Sequence, residues 1–344
     1  MFAGCGQPTV AAPVATVQTD RPAPGLTMVE RPRHGILDFQ AGVTVLAYGN
    51  DPAFGQKARA VLEHLATLGV NSVGLAFPLY QSNWTASDVH ADPTQTLTVA
   101  NATAFTTEAH RRGFTVMLRP LLDEQSFHPD GKWRGLIQPS DPDGWFKTYA
   151  AALDPYVRLA TAQHVEVFDV GTEFSSLQSD GPRWSRLIAS VRRTYRGQVT
   201  YSANWQDPVP AFAKALDFLG VDAFYPLGTS STATADALVT AWQPWLADIR
   251  RAAASTGKAV VITELGTTSE VGSYQQPWVW QHGTGVSLQA QAAYYDASCR
   301  ALKPSVHGMY WWVFSLDAVA TPSSDPGYEP EGKPAETQIG KCFG

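Results

Sequence analysis

The 344-residue sequence is poor in charge, in cysteine and in long apolar runs. Charged residues make up 16% of the chain and the net charge is −6 without a basic cluster, so neither nucleic acid nor an anionic membrane surface is expected as a partner. No stretch reaches the roughly 18 consecutive apolar residues of a transmembrane helix, so the folded part is expected to be water-soluble. The hydrophobic share of 44% is nevertheless enough for a large core, which excludes disorder for most of the chain.

Several enzyme motifs are also missing. The eight histidines are scattered, and the absence of a His-Glu-x-x-His segment excludes the zinc-protease helix. A Gly-x-Ser-x-Gly elbow for serine hydrolysis is absent as well. Nothing in the sequence indicates a nucleotide or a metal, so no cofactor is expected.

The first 28 residues differ in composition from the remainder. The start, Met-Phe-Ala-Gly-Cys-Gly, resembles the end of a bacterial lipoprotein signal, in which small residues precede a cysteine that becomes lipidated. The following Pro-, Ala-, Thr- and Val-rich stretch, 7–24, is typical of a flexible tether. We therefore expect an anchor and tether over 1–28 and one folded domain with a C-terminal tail over 29–344. The protein is then expected outside the cell, attached to the membrane through lipidation of Cys5, unless the short match is accidental.

Only three cysteines occur. If Cys5 carries lipid, Cys299 and Cys342 remain as a pair in an oxidising compartment, which predicts a disulfide that fixes the C-terminal tail. In the alternative, Cys299 is a small buried side chain on a helix and Cys342 is a free thiol.

Short apolar segments alternate with helical patterns from about residue 42 to residue 314, as in repeated βα units around a parallel sheet. The predicted strands are 43–49, 72–79, 114–121, 165–171, 198–205, 218–225, 259–265 and 307–314. The predicted helices are 53–68, 99–112, 143–162, 183–195, 209–215, 235–255 and 288–302. Eight such units need about 250 residues, so the length fits a single-domain α/β fold, the (β/α)₈ TIM barrel. An open doubly wound sheet is disfavoured, because no Gly-rich phosphate loop follows the first strand.

Two of these strands carry a glutamate where they end. Glu173 follows the fourth strand and Glu264 lies at the end of the seventh. The C-terminal strand ends of a barrel share one rim, which carries the functional residues. Hydrolysis of a glycosidic bond needs two carboxyl groups beside the anomeric carbon, and strands four and seven face each other across the barrel axis. The pair therefore predicts a glycoside hydrolase, although either glutamate alone is more often a solvated or capping residue.

The placement of the two glutamates resembles clan A of the glycoside hydrolases and, more narrowly, family 113, the β-mannanases. The resemblance extends over about residues 40 to 340. It rests on Trp133-Arg134-Gly135, Gly171-Thr172-Glu173-Phe174, Tyr201-Ser202-Ala203-Asn204-Trp205, Gly-Val-Asp-Ala-Phe-Tyr-Pro-Leu at 220–227, Thr263-Glu264-Leu265-Gly266, Tyr310-Trp311-Trp312 and Gly332-Lys333-Pro334-Ala335-Glu336. Many clan members have Asn before the acid/base, where this sequence has Thr172. Thr agrees with the narrower family, but the usual contact to the sugar 2-hydroxyl is left unassigned.

The resemblance implies a two-step reaction with retention of configuration. Glu264 is expected to attack the anomeric carbon, while Glu173 acts first as acid and then as base. Glu173 must then hold a proton near the working pH, and Glu264 must be ionised. The leading substrate is endo-cleaved β-1,4-mannan.

Two further side chains are expected to adjust this pair. Arg119, at the end of strand three, is predicted to pair with Glu264 and keep it charged. Its alternative partners are Asp123 and Glu124. By resemblance, Tyr225 is expected to donate its hydroxyl to the nucleophile, and the alternative is a core aromatic.

Sugar binding is expected from polar and aromatic side chains at the rim. The predicted binding residues are Arg119, Asn204, Trp205, Tyr225, Trp312 and Trp133. Of the adjacent Trp311 and Trp312, one must point outward from the strand, and the resemblance favours Trp312 for the pocket. Further tryptophans at 84, 278 and 280 either line a groove or pack within their loops. Asp222, inside strand six, is expected to orient a neighbour or to cap a loop.

Other functions are weighed against this hypothesis. The expected partner is a polysaccharide or oligosaccharide bound by a monomer. A different β-glycanase, acting on a cell-envelope glycan, would use the same barrel. A non-catalytic carbohydrate-binding lipoprotein is a third alternative, but a binding protein has no need of two opposed carboxyl groups.

Overall fold

The computed structural model describes residues 38–228, 230–316 and 324–344. The predictions made for residues 1–37, including the tether and lipidation of Cys5, lie outside the described residues. Among the helices of these ranges, none combines the length and apolar character that a bilayer span requires.

Eight parallel strands form a closed barrel, and each strand pairs with its neighbours in sequence order. They are β1 (Gln40–Leu46), β2 (Ser72–Leu79), β3 (Thr115–Leu122), β4 (Val167–Thr172), β5 (Gln198–Asn204), β6 (Leu219–Asp222), β7 (Val260–Leu265) and β8 (Gly308–Ser315). The helices are α1 (Phe54–Thr67), α2 (Val99–Arg111), α3 (Pro142–Ala162), α4 (Gly181–Thr194), α5 (Ala235–Ala241), α6 (Gln243–Thr256), α7 (Leu288–Leu302) and α8 (Pro334–Phe343). The (β/α)₈ fold predicted from the alternation is thus confirmed.

Individual boundaries differ from the predictions where proline interrupts the pattern. The helix predicted at 209–215 is wrong: only a single 3₁₀ turn, Ala213–Ala215, forms after Pro210, which has no N–H to donate. The helix predicted at 235–255 is two helices, because α6 restarts at Trp242 with Pro244 in its first turn. Strand six is shorter than predicted, and α8 was expected only as a tail.

Side chains inside the barrel form layers, because alternate residues of a strand point to the same side. The lowest layer is apolar and consists of Met117, Val167, Phe218, Val261 and Tyr310. The Tyr310 ring fills the axis so closely that a Cβ at Gly42 would lie 2.4 Å from it. The layer above begins two residues further along several of these strands, and it is charged.

The C-terminal helix is attached to the barrel by a covalent bond. A disulfide joins Cys299 of α7 to Cys342 of α8, with a Cα–Cα distance of 5.9 Å. Cys342 is buried and α8 packs on α7. The tail therefore completes the outer helical layer beside β8.

Candidate active site

The two glutamates reach the rim through different backbone conformations. Glu173 follows β4 with a φ of 56°, in the left-handed region that a residue with a Cβ seldom adopts. Its backbone N–H donates to the Ser202 carbonyl at 2.8 Å, so the turn remains attached to β5. Glu264 lies within β7 and is 5% exposed.

Strict alternation would direct Glu264 away from the barrel axis. Val261 lies in the apolar inner layer, and Thr263 donates to Asp222 inside the barrel at 2.8 Å. The next residue should therefore point outward. Register shifts on both sides of β7, between Val221 and Asp222 and between Ile262 and Leu265, break the alternation at this position. Such irregularities commonly re-aim side chains beside active sites, and here Glu264 also faces the interior.

Arg119 is the centre of the charged layer. It is completely buried, and its guanidinium forms ion pairs with Glu264 at 2.7 Å, Asp222 at 2.8 Å and Asp169 at 3.2 Å. Its Nη1 also donates to the Thr263 carbonyl at 3.0 Å. The alternative partners Asp123 and Glu124 are thus not the ones the side chain reaches, because Arg119 points into the barrel.

The electrostatic surroundings of Glu264 act in opposite directions. Burial raises the pKa of the Glu264 carboxyl well above its ordinary value. The charges of Arg119 and Arg134 lower this pKa, those of Asp222 and Glu173 raise it, and the lowering does not cancel the effect of burial. The ion pair with Arg119 favours the carboxylate, since a guanidinium does not lose its proton in proteins.

Glu173 has a neutral partner instead. Asn204, the last residue of β5, donates its Nδ2 to Glu173 Oε1 at 2.8 Å. Burial raises the pKa of Glu173 to about 7, and the Asp222 charge acts in the same direction. Arg134 and the Asn204 hydrogen bond lower this pKa without cancelling the burial. Asn204, predicted from the rim position alone, therefore contacts one of the two glutamates directly.

A second arginine, which is partly buried, lies near the pair. Arg134 donates its Nε to Glu124 at 2.6 Å, and its charge lowers the pKa of both Glu173 and Glu264. The sequence analysis used Arg134 only as part of a motif, because it lies in a 3₁₀ turn outside the strands. The adjacent Trp133 is partly buried, and its indole folds back over residue 135, where a Cβ would lie 2.3 Å from the ring.

The adjacent tryptophans of β8 point in opposite directions. Trp311 stacks on Tyr295 of α7, with ring centroids 4.2 Å apart, so it belongs to the layer between strand and helix. Trp312 lies in a rim cluster with Phe224, Tyr328 and other apolar side chains. The structure thus places Trp312, not Trp311, on the side of the site.

Tyr225 is not where the resemblance leads one to expect it. Its ring stacks on Trp245 at 5.0 Å and contacts Trp242 edge-on at 5.6 Å. Burial raises the pKa of its hydroxyl, and the charge that adds to this is Asp248 of α6, not a glutamate of the site. These contacts favour the alternative, a core aromatic between barrel and helices.

Trp205, which directly follows Asn204, belongs to a cluster of aromatic side chains. Trp205 packs against Tyr225 and against Trp278, with centroids 5.4 and 5.5 Å apart. Trp278 and Trp280 are 40% and 63% exposed. Trp84 is instead partly buried beneath the Lys132 ammonium, which lies 4.7 Å from the ring centroid.

Asp169 and Ser202 are site residues that the sequence analysis missed. Ser202 donates to Asp169 at 2.5 Å, and burial raises the pKa of Asp169 to about 6 although Arg119 lowers it. The available signal was a charged residue inside the otherwise apolar strand Val167–Thr172. A buried charge of that kind needs a partner of opposite sign, and Arg119 on the neighbouring strand is one. None of the described residues forms a cluster of three or more His, Cys, Asp or Glu that could hold a metal ion.

Comparisons with known proteins agree with this geometry. The model of Glycoside Hydrolase Family 113 matches residues 49–333. A family 113 β-mannanase from Alicyclobacillus acidocaldarius, solved in complex with ManMIm, is 28% identical, with a TM-score of 0.79 over 89% of this chain and 97% of that one. A second family 113 structure, a β-1,4-mannanase, is 23% identical, with the same TM-score over 89% and 99% of the two chains. A family 5 mannosidase from Rhizomucor miehei, 10% identical with a TM-score of 0.55 over 89% and 92%, shares the fold. The search of curated proteins found no match.

Proposed function

Because the chain belongs to glycoside hydrolase family 113, we propose that it cleaves β-1,4-mannan internally, by double displacement with Glu264 as nucleophile and Glu173 as acid/base. The solved relatives include β-1,4-mannanases, which supports the substrate. The observation that carries the assignment of roles is the difference between the partners of the two carboxyl groups: a guanidinium for Glu264 and an amide for Glu173.

The charges of the site decide which glutamate holds a proton. Five carboxyl groups, those of Glu124, Asp169, Glu173, Asp222 and Glu264, act here on only two guanidinium groups, those of Arg119 and Arg134. This excess of carboxyl groups favours protonation of some of them at neutral pH, because unbalanced charge in a largely buried site is costly. Protonating Glu264 would weaken its 2.7 Å ion pair with Arg119, whereas protonating Glu173 alters only a hydrogen bond with a neutral amide. We place the proton on Glu173.

In the first step, an oxygen of the Glu264 carboxylate bonds to the anomeric carbon as the glycosidic C–O bond breaks. Glu173 transfers its proton to the departing oxygen, so the leaving sugar departs as a neutral alcohol. In the second step, water attacks the anomeric carbon, Glu173 takes up a water proton, and the bond to Glu264 breaks. Glu264 is again a carboxylate and Glu173 again a carboxylic acid, so the cycle closes.

We also propose that the enzyme acts outside the cell as a monomer held by lipid on Cys5. The support is the sequence at positions 1–6 and the Cys299–Cys342 disulfide, which suits an oxidising compartment. Labelling of the full-length protein with a fatty acid in a bacterial host, beside Cys5→Ser, tests the anchor. Label that persists in Cys5→Ser would exclude it.

The decisive experiment measures reducing-sugar release from β-mannan, glucomannan, β-glucan, xylan and chitosan by the wild type. Glu264→Ala and Glu264→Gln are the matched variants, and Gln keeps the side-chain volume beside Arg119. Release from mannan that falls about 10⁴-fold or more in both variants would support chemistry and substrate together. Activity confined to another glycan would move the substrate to that polymer. Oligosaccharide binding without release from any polymer would favour a carbohydrate-binding protein.

A further inference from the structure

The loop between β7 and α7, residues 266–287, is tightly closed although it contains only one 3₁₀ turn. Glu270, 3% exposed, accepts hydrogen bonds from the backbone N–H groups of His282 and Gly283, each at 2.7 Å. Glu270 also forms an antiparallel bridge with Val286. These contacts join the two ends of the segment 270–286, so its tip has a defined shape before any ligand binds.

This closed loop presents two tryptophans to solvent. Trp278 is 40% exposed and Trp280 is 63% exposed, although tryptophan is among the more deeply buried side chains in most proteins. The closed loop fixes both rings beside the site, which reduces the entropy lost when a ligand stacks on them. Indole faces pair well with the C–H face of a pyranose ring, so a sugar is the natural occupant.

The two rings pack against different neighbours. Trp280 packs against Tyr328, with centroids 4.8 Å apart, and edge-on against Trp312 of β8. Trp278 packs instead against Trp205, with centroids 5.5 Å apart and planes inclined by 31°.

Trp278 contacts Trp205, whose neighbour in the sequence contacts the proposed proton donor. Trp205 directly follows Asn204, and Asn204 donates to Glu173. In the proposed reaction Glu173 protonates the leaving oxygen, so the departing part of the glycan lies on the Glu173 side of the cleaved bond.

We propose that Trp278 is a stacking platform for a pyranose ring of the departing part of the β-glycan chain, and this rests on the proposed function. The Trp205 ring supports Trp278 from behind, and the Glu270 contacts hold the loop that carries it. Trp278 is then a specificity residue: it favours a sugar leaving group over one that has no ring to stack.

The test compares two mannosyl substrates that differ in the leaving group. Mannohexaose has sugar leaving groups, whereas β-mannobiosyl fluoride releases a single atom that cannot stack. For Trp278→Ala we expect the ratio of kcat/KM for mannohexaose to kcat/KM for the fluoride to fall about tenfold. Trp278→Phe retains an aromatic face and should restore part of the ratio.

Trp280→Ala is the matched control, since it removes the same side chain from the same loop at a position that contacts Tyr328 and Trp312 instead of Trp205. It should change both kcat/KM values by similar factors and leave their ratio within about twofold of wild type. An unchanged ratio in Trp278→Ala, or an equal fall in Trp280→Ala, would overturn the assignment. A wild type that cleaves neither substrate would contradict the proposed function instead. The affinity of Glu264→Ala for mannohexaose, with and without Trp278→Ala, then decides the stacking role separately: about tenfold weaker binding in the double variant supports it, and equal binding refutes it.

Discussion

Buried carboxyl groups occur in two parts of the molecule, and their surroundings differ. Inside the barrel, Asp169, Asp222 and Glu264 surround one guanidinium, that of Arg119. In the C-terminal segment, Glu331 is 5% exposed, and within the described ranges no other residue forms a hydrogen bond to either of its carboxyl oxygens.

The charge of Lys333 lowers the pKa of Glu331, but the Lys333 ammonium is bonded to other groups. The Lys333 ammonium is buried but bonds to Asp325 at 2.7 Å and to Ser269 at 2.9 Å. Burial accordingly raises the pKa of Glu331 to about 8. Burial without a charged partner favours the neutral carboxylic acid, whereas a fixed guanidinium beside a buried carboxyl offsets part of the effect of burial and favours the carboxylate.

Removal of the Arg119 guanidinium should have the largest effect on stability. Arg119→Met leaves three carboxyl groups buried without their shared partner, so we expect unfolding to require about 3 to 5 kcal/mol less free energy at pH 7. The pKa values of Asp169, Asp222 and Glu264 should all rise, so the loss should shrink toward pH 5, where these groups hold protons. Urea unfolding from pH 5 to pH 8 measures this.

Arg111→Met provides the control for Arg119→Met. Arg111 is an exposed arginine paired with Glu108 on one helix, and its removal should leave the unfolding midpoint nearly unchanged. Equal losses for the two variants, or a loss independent of pH, would show that the buried guanidinium does not balance the three carboxyls.

The covalent attachment of the C-terminal segment can be removed next. Cys299→Ser combined with Cys342→Ser frees a closed loop with a sequence separation of 43 residues, which should lower the free energy of unfolding by about 3 to 4 kcal/mol. Mannan hydrolysis at 25 °C should persist, because neither cysteine belongs to the charged layer. Thermal unfolding with and without reductant provides the measurement. A wild type that is insensitive to reductant while the variant matches its stability would argue against a disulfide in solution.

The third prediction concerns Glu331→Gln, which replaces the carboxyl by a permanently neutral amide. With a folded pKa of about 8 and an ordinary value of 4.5, wild-type stability should fall as pH rises from about 4.5 to about 8, because only the unfolded chain releases the proton in that range. Glu331→Gln should remove the contribution of Glu331 to this slope, and its unfolding at pH 9 should require about 1 to 3 kcal/mol more free energy than that of the wild type. Urea titrations at pH 5, 7 and 9 test the sign.

Glu329→Gln, in the same segment but half-buried, is the matched control for Glu331→Gln. It should change the slope far less. A Glu331→Gln variant that is less stable than the wild type at pH 9 would mean that the carboxylate has a favourable partner in solution.

The smallest effect concerns the neutral partner of Glu173. The Asn204 amide stabilises the carboxylate, so Asn204→Ala should raise the pKa of Glu173 above its value of about 7. Since the acid must be protonated, the alkaline limb of kcat/KM should move upward by less than about one pH unit. Gln206→Ala, at an exposed neighbouring position, should leave the limb in place. A limb that moves downward in Asn204→Ala would contradict the acid role of Glu173.

Much of this arrangement could be predicted from sequence because it follows from regular alternation. The period of strands and helices predicts the barrel, and the ends of β4 and β7 identify Glu173 and Glu264. Strand periodicity also separates Trp311 from Trp312, although it does not say which of the two faces the site. The length of α8 depends on tertiary contacts that the sequence pattern does not show. The absence of a helix at 209–215 depends on proline, whose local effect the hydrophobic pattern does not resolve.

The remaining features of the site could not be predicted, because they depend on irregular strand pairing and on contacts between residues distant in sequence. Glu264 faces the interior only because register shifts interrupt the alternation of β7, and such shifts depend on pairing with two neighbouring strands. Tyr225 was assigned from resemblance, but its neighbours Trp242 and Trp245 come from helices distant in sequence. Asp169 gave a usable signal as a charge in an apolar strand, yet only the closed barrel shows that it shares Arg119 with Glu264.

The left-handed backbone conformation of Glu173 has a cost in stability that the enzyme must accept to keep its proposed proton donor. At a φ of 56° a residue with a Cβ costs about 1 kcal/mol or more relative to glycine, so the proposed proton donor occupies a position where it weakens the fold. Selection for thermal stability alone would favour glycine at position 173 and would yield a more stable but inactive barrel. Catalysis and robustness therefore oppose each other at one residue, and gains in heat tolerance must come from elsewhere in the chain.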